Sequence, residues 1–134
     1  RVLGMGVHVG LGTDISAGTD AGLMKQCVHA VTSSRMLEDG VNGIDGSVEN
    51  SRIDVAAAFY MATTGGAHML GLNAGVIAVG NHFDAIVVDT SSSDSGLRIY
   101  DDVDGEERIF EKIVRLSGPR DISHVWVAGK KIKQ

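Results

Sequence analysis

The sequence predicts an α/β fold in which a helical first half gives way to a strand-rich second half, and three observations carry this reading. A short alternating run, Val7 to Leu11, ends in Gly12-Thr13-Asp14 and is followed by segments with apolar residues every three or four positions. Near Asn73–Gly75 the apolar period drops to two, as expected for strands. The 18 glycines among 134 residues sit singly at the ends of periodic segments. With only one proline, this excess over the usual ~7% reads as tight turns between elements and not as a low-complexity linker.

Taken in order, Gly6 resembles a helix stop, so Arg1 to Met5 is expected to be a helix tail. Val7, Val9 and Leu11 alternate with His8 and Gly10, which predicts a short buried strand. A helix is expected from about Asp20 to Glu38, with Leu23, Cys27 and Val31 on its apolar stripe and Gly40 placed to end it. Val41 to Asn50 has no period and reads as a loop. Ser51-Arg52-Ile53-Asp54 resembles a capping box that opens a second helix through Ala62, with Val55, Phe59 and Ala62 facing inward. Gly65-Gly66 is expected to interrupt the helical pattern, and Ala67 to Leu70 to add a short helical piece. Beyond Gly75, Ile77 and Val79 alternate, and Phe83 to Asp89 is rich in β-branched residues. Ser91 to Gly96 is a polar connector. Glu106 to Leu116 is expected to be helical, with Ile109, Ile113 and Leu116 facing in. Ile122 to Val127 and Lys130 to Lys133 are expected to form a hairpin around Ala128-Gly129.

Composition excludes several classes of function. A 43% hydrophobic share is enough for a core, and a net charge of −5 with scattered Lys and Arg argues against nucleic-acid binding. No apolar run approaches the ~20 residues of a membrane span. A single cysteine permits no internal disulfide and fits a reducing, cytoplasmic setting. The chain starts with neither Met nor a signal sequence, so it is expected to begin partway through something larger.

Few residues carry chemistry by pattern. Asp14 follows a strand at the end where α/β barrels gather their active sites, and a carboxylate there can bind a metal or transfer a proton. The competing reading is a simple turn cap. The five histidines, His8, His29, His68, His82 and His124, lack any spacing that aims two imidazoles at one ion, so packed or surface roles are expected. Cys27 lies in an apolar stripe and reads as core. No phosphate-binding glycine loop or Gly-x-Ser-x-Gly elbow is present. The acidic run Asp101-Asp102, Asp104, Glu106-Glu107 reads as a solvated face at a helix N-terminus.

Three stretches together resemble the amidohydrolase superfamily, in particular its guanine deaminases. Val7-His8-Val9-Gly10-Leu11-Gly12-Thr13-Asp14 is similar to the eighth barrel strand and its metal-binding Asp. Ala62 to Leu72, Gly75 to Gly80 and Phe83-Asp84-Ala85-Ile86-Val87-Val88-Asp89 resemble the helix that closes the barrel and the return to a small β-sandwich. Ile122 to Lys131 resembles the last hairpin of that sandwich. The resemblance implies that residues 1–74 hold the last strand and closing helices of a (β/α)8 barrel, and residues 75–134 part of the sandwich. It implies conversion of guanine and water to xanthine and ammonia by zinc-activated water, with Asp14 as zinc ligand and proton shuttle. The substrate would be a purine base, the longer form a homodimer, and neither nucleic acid nor membrane a partner. Such families take a His-x-His pair, two further His and an acid/base Glu from upstream, and none is found here. Asn81 stands where many relatives carry Lys, and Ser16-Ala17-Gly18 only loosely matches the glycine-rich loop after the Asp. The 134 residues alone are therefore expected to be inactive and to hold no stoichiometric zinc. Two alternatives stand beside this reading. One is an amidohydrolase acting on another ring (a cytosine, an adenosine derivative or a triazine); the other is a non-catalytic assembly domain.

Overall fold

The computed structural model describes residues 3–41 and 46–133. Two compact units, Arg1–Gly71 and Leu72–Gln134, divide the chain. The first is helical: α1 spans Leu23–Glu38, α2 Val55–Ala62 and α3 Thr64–Leu70. The second holds β1 (Ala85–Val88), α4 (Glu106–Leu116), β2 (Ile122–Val127) and β3 (Lys130–Lys133). Among the described residues, no helix is long and apolar enough to cross a membrane.

In the first unit, Cys27 and Val31 of α1 meet Val55, Ala58 and Met61 of α2, and all five are buried. The Cys27 thiol lies 3.6 Å from the Ala58 carbonyl, and burial pushes its pKa up, as suits a core residue. The predicted capping box is displaced by one helical turn: Asp54, not Ser51, caps α2, its carboxylate accepting from the Ala57 N–H at 2.7 Å. A cap of this kind contributes about 1 kcal/mol. The inward face of α2 is accordingly Val55, Ala58 and Met61, with Phe59 and Ala62 only half-buried. Ser51 instead donates to the Val48 carbonyl, and Arg52 pairs with Glu38 and Asp39 at 2.9 and 2.6 Å. The predicted loop 41–50 lies partly outside the described residues. Of the predicted helix tail at residues 1–5, the described part is a single 3-10 turn, Leu3–Met5.

Two predicted strands do not form. Val7 to Leu11 has no ladder among the described residues, and Val7 and His8 are exposed. A strand needs a lateral partner; here the Leu11 N–H bonds instead to the Met61 carbonyl near the end of α2, at 3.0 Å. Ile77 and Val79 likewise lie outside any strand and are exposed. Gly65-Gly66 does not break the helical pattern: α3 runs through both.

The second unit carries an antiparallel sheet in the order β1-β2-β3, with Ala85 opposite Trp126 and Val127 opposite Lys130. Ala128 and Gly129 both adopt positive φ, 48° and 78°, the combination a type I′ hairpin turn requires. The segment before β1 clamps that turn. Asp84 accepts from the Ala128 N–H at 2.6 Å, and the Phe83 carbonyl from the Gly129 N–H at 2.9 Å. Trp126 is stacked against His124 and edge-on to Phe83, with Lys131 over its ring. In α4 the buried residue is Val114; Leu116, expected to face in, is exposed.

The acidic run is not uniformly solvated either. Asp104 is buried, accepts from the Tyr100 N–H at 2.8 Å, and pairs with Lys112. The Lys112 ammonium, then the Tyr100 N–H, hold the Asp104 carboxyl below its ordinary range. A depressed carboxyl contributes stability that is present above its unfolded value and lost as pH falls through the folded one. Asp104→Asn is therefore expected to lower the melting temperature at neutral pH. The gap from the unmodified chain should close below about pH 4. Melts followed by circular dichroism across pH check this, and a gap independent of pH would refute it.

Candidate metal-ligand site

The segment leading to Asp14 crosses the junction of α2 and α3 at close range. A Cβ on Gly65 would lie 2.9 Å from the Val9 carbonyl oxygen, and one on Gly10 would lie 3.0 Å from Gly66 Cα. These backbones meet only because no side chain intervenes. The Leu11 N–H bond to the Met61 carbonyl fixes the register of the crossing.

Beyond this crossing the chain turns sharply. Asp14 sits in the left-handed region at φ 47°, its carbonyl accepting from the N–H groups of Ala17 (3.0 Å) and Gly18. Gly18 is packed so tightly that a Cβ there would fall 2.0 Å from the Thr13 oxygen. The Asp14 side chain is exposed, and among the described residues no hydrogen bond or ion pair engages its carboxylate. A cation can reach it from solvent.

The other candidates are dispersed. His29 lies exposed on α1, His82 is exposed, and His124 is stacked on Trp126. His8 and His68 do meet, with ring centroids 5.7 Å apart, although sixty residues separate them. No periodicity or spacing could signal that pair, because the crossing of two elements makes it. A catalytic zinc ion takes about three protein ligands. Among the described residues, no group of three His, Cys, Asp or Glu side chains could hold a metal ion. The described residues thus offer one oxygen ligand at Asp14 and do not complete a centre.

The sequence profile of the amidohydrolase family matches residues 1–132. The chain belongs to the amidohydrolase family. It is similar to guanine deaminase of Homo sapiens, with 32% identity over 98% of this chain and 29% of the human protein. It is similar to a probable guanine deaminase of Schizosaccharomyces pombe at 32% identity, over 98% of this chain and 24% of that protein. Among solved structures it resembles the guanine deaminase of C. acetobutylicum with bound guanine in the active site. There the TM-score is 0.75 at 29% identity, covering 97% of this chain and 28% of that one. This amidohydrolase chain therefore spans less than a third of the length of these relatives.

The glycine crossing can be tested directly. Alanine normally stabilises a helix position over glycine by about 0.5–1 kcal/mol. Gly65→Ala is nevertheless expected to destabilise the chain by about 1–3 kcal/mol, because its Cβ meets backbone on two sides. Gly12→Ala, with open space around it, should be close to neutral. Urea unfolding of both variants reads this, and a stabilised Gly65→Ala would contradict the crossing.

Proposed function

We propose that this chain forms the metal-ligating C-terminal part of a guanine deaminase, which hydrolyses guanine to xanthine and ammonia. The observation that supports it is similarity along nearly the whole chain, in sequence and in fold, to guanine deaminases, one of them with guanine bound. On this reading residues 1–74 belong to the end of a (β/α)8 barrel and residues 75–134 to a small β-sandwich. The complete enzyme is a cytoplasmic homodimer acting on a purine base.

In this reaction water adds to the ring carbon bearing the amino group, the carbon–nitrogen bond breaks, and ammonia departs. The Asp14 carboxylate takes a proton from the attacking water and returns it to the leaving nitrogen. Its exposure and its freedom from internal partners among the described residues suit both tasks. Zinc, when bound, supplies a lowered pKa for its water, towards ~7. Because one carboxylate holds such an ion feebly, the imidazole ligands are assigned to residues outside this chain.

Two outcomes follow. The purified 134-residue chain, supplied with zinc, should release no xanthine from guanine. In the complete gene product, Asp14→Asn should reduce guanine turnover by at least about a hundredfold while leaving the melting curve of the metal-free protein unchanged. Turnover by the short chain, or an active Asp14→Asn enzyme, would remove the assignment.

A further inference from the structure

The His8–His68 pair has no part in the reading of Asp14, yet it brings two imidazoles together at the surface from segments sixty residues apart. The two rings lie 5.7 Å apart at an interplanar angle of 83°. Both side chains are exposed, so neither serves to fill the core. Two imidazoles bound to one ion, each at about 2.0–2.1 Å from it, place their ring centres roughly 4.5–6.4 Å apart as the angle between them opens from a right angle to a straight line. The observed separation falls in that interval.

We propose that His8 and His68 form a second cation site, a two-imidazole chelate for a borderline transition-metal ion, distinct from the Asp14 carboxylate. Imidazole is the ligand such ions favour, and the expected order of affinity is Cu2+ above Ni2+, with Cu2+ also above Zn2+. The site is held in place by the backbone and not by the rings. His8 lies two residues before Gly10 and His68 two after Gly66, and Gly10 and Gly66 meet at the glycine crossing. The Leu11 to Met61 hydrogen bond anchors the same crossing on its other side. With both ligand-bearing segments fixed, binding to the first imidazole presents the ion to the second at high effective concentration. His68 also lies in the last turn of α3, where the outward carbonyl ends favour positive charge. Water completes the coordination shell on the exposed side.

The test is a calorimetric titration of the metal-free 134-residue chain with NiCl2, and separately with CuCl2. One ion per chain is expected. His8→Ala and His68→Ala should each weaken binding at least about tenfold, and the double variant little further, since either change destroys the chelate. His29→Ala and Asp14→Asn should bind as the unmodified chain does. Circular dichroism of each variant controls for folding. Line broadening of the His8 and His68 ring signals by sub-stoichiometric Ni2+ in the unmodified chain tests the site without any substitution. Absence of saturable binding, binding that survives loss of either imidazole, or a loss caused equally by Asp14→Asn would overturn the proposal.

Discussion

Backbone-to-backbone contact between the Asp14 segment and the α2–α3 junction governs the first unit. Gly10 lies against Gly66, and Gly65 against the Val9 carbonyl, so closely that a Cβ at either position would force its neighbour to shift. Adding the Leu11 to Met61 hydrogen bond makes the crossing directional as well as close. Everything of chemical interest in this unit hangs from it. The chain beyond the crossing turns at Asp14, and the chain before it brings His8 to His68. A bulkier residue at the crossing would displace the carboxylate and the imidazole pair together, through steric pressure on backbone that has no rotamer to yield.

Local periodicity made much of the fold legible. The stripe of Cys27 and Val31, the helical span Glu106 to Leu116, and the hairpin around Ala128-Gly129 all follow from residues near one another in sequence. What could not be read depends on distant partners. Val7 to Leu11 alternates as a strand does, but pairing is a property of two segments, and the Leu11 N–H bonds to a helix end. Gly65-Gly66 has poor helix propensity, yet α3 accommodates both because tertiary contact at the crossing requires them. Asp104 looks like one more solvated acid until Lys112 and the Tyr100 N–H are brought to it. Asp14 was visible as a residue worth attention from its place after an alternating run. Its meaning as a ligand came from the resemblance, since one carboxylate has no spacing of its own.

In the second unit the same logic explains a motif. Phe83-Asp84 is part of the stretch that resembles guanine deaminases, and its local work is structural. Asp84 and the Phe83 carbonyl satisfy the two N–H groups of the left-handed hairpin turn, while Phe83 packs its ring against Trp126. A short carboxylate is needed to reach the Ala128 N–H, and an aromatic ring covers one flank of the tryptophan. Sequence likeness of this kind reports on folding constraints as much as on substrate.

The proposed deaminase rests on Asp14 sharing an ion with imidazoles that this chain does not supply. A crystal structure of the complete gene product grown with zinc tests that most directly. The account predicts an Asp14 carboxylate oxygen at about 2.0–2.2 Å from the ion, with histidine ligands from residues outside these 134. A zinc ion bound at the barrel mouth without Asp14, its side chain turned to solvent, would contradict it.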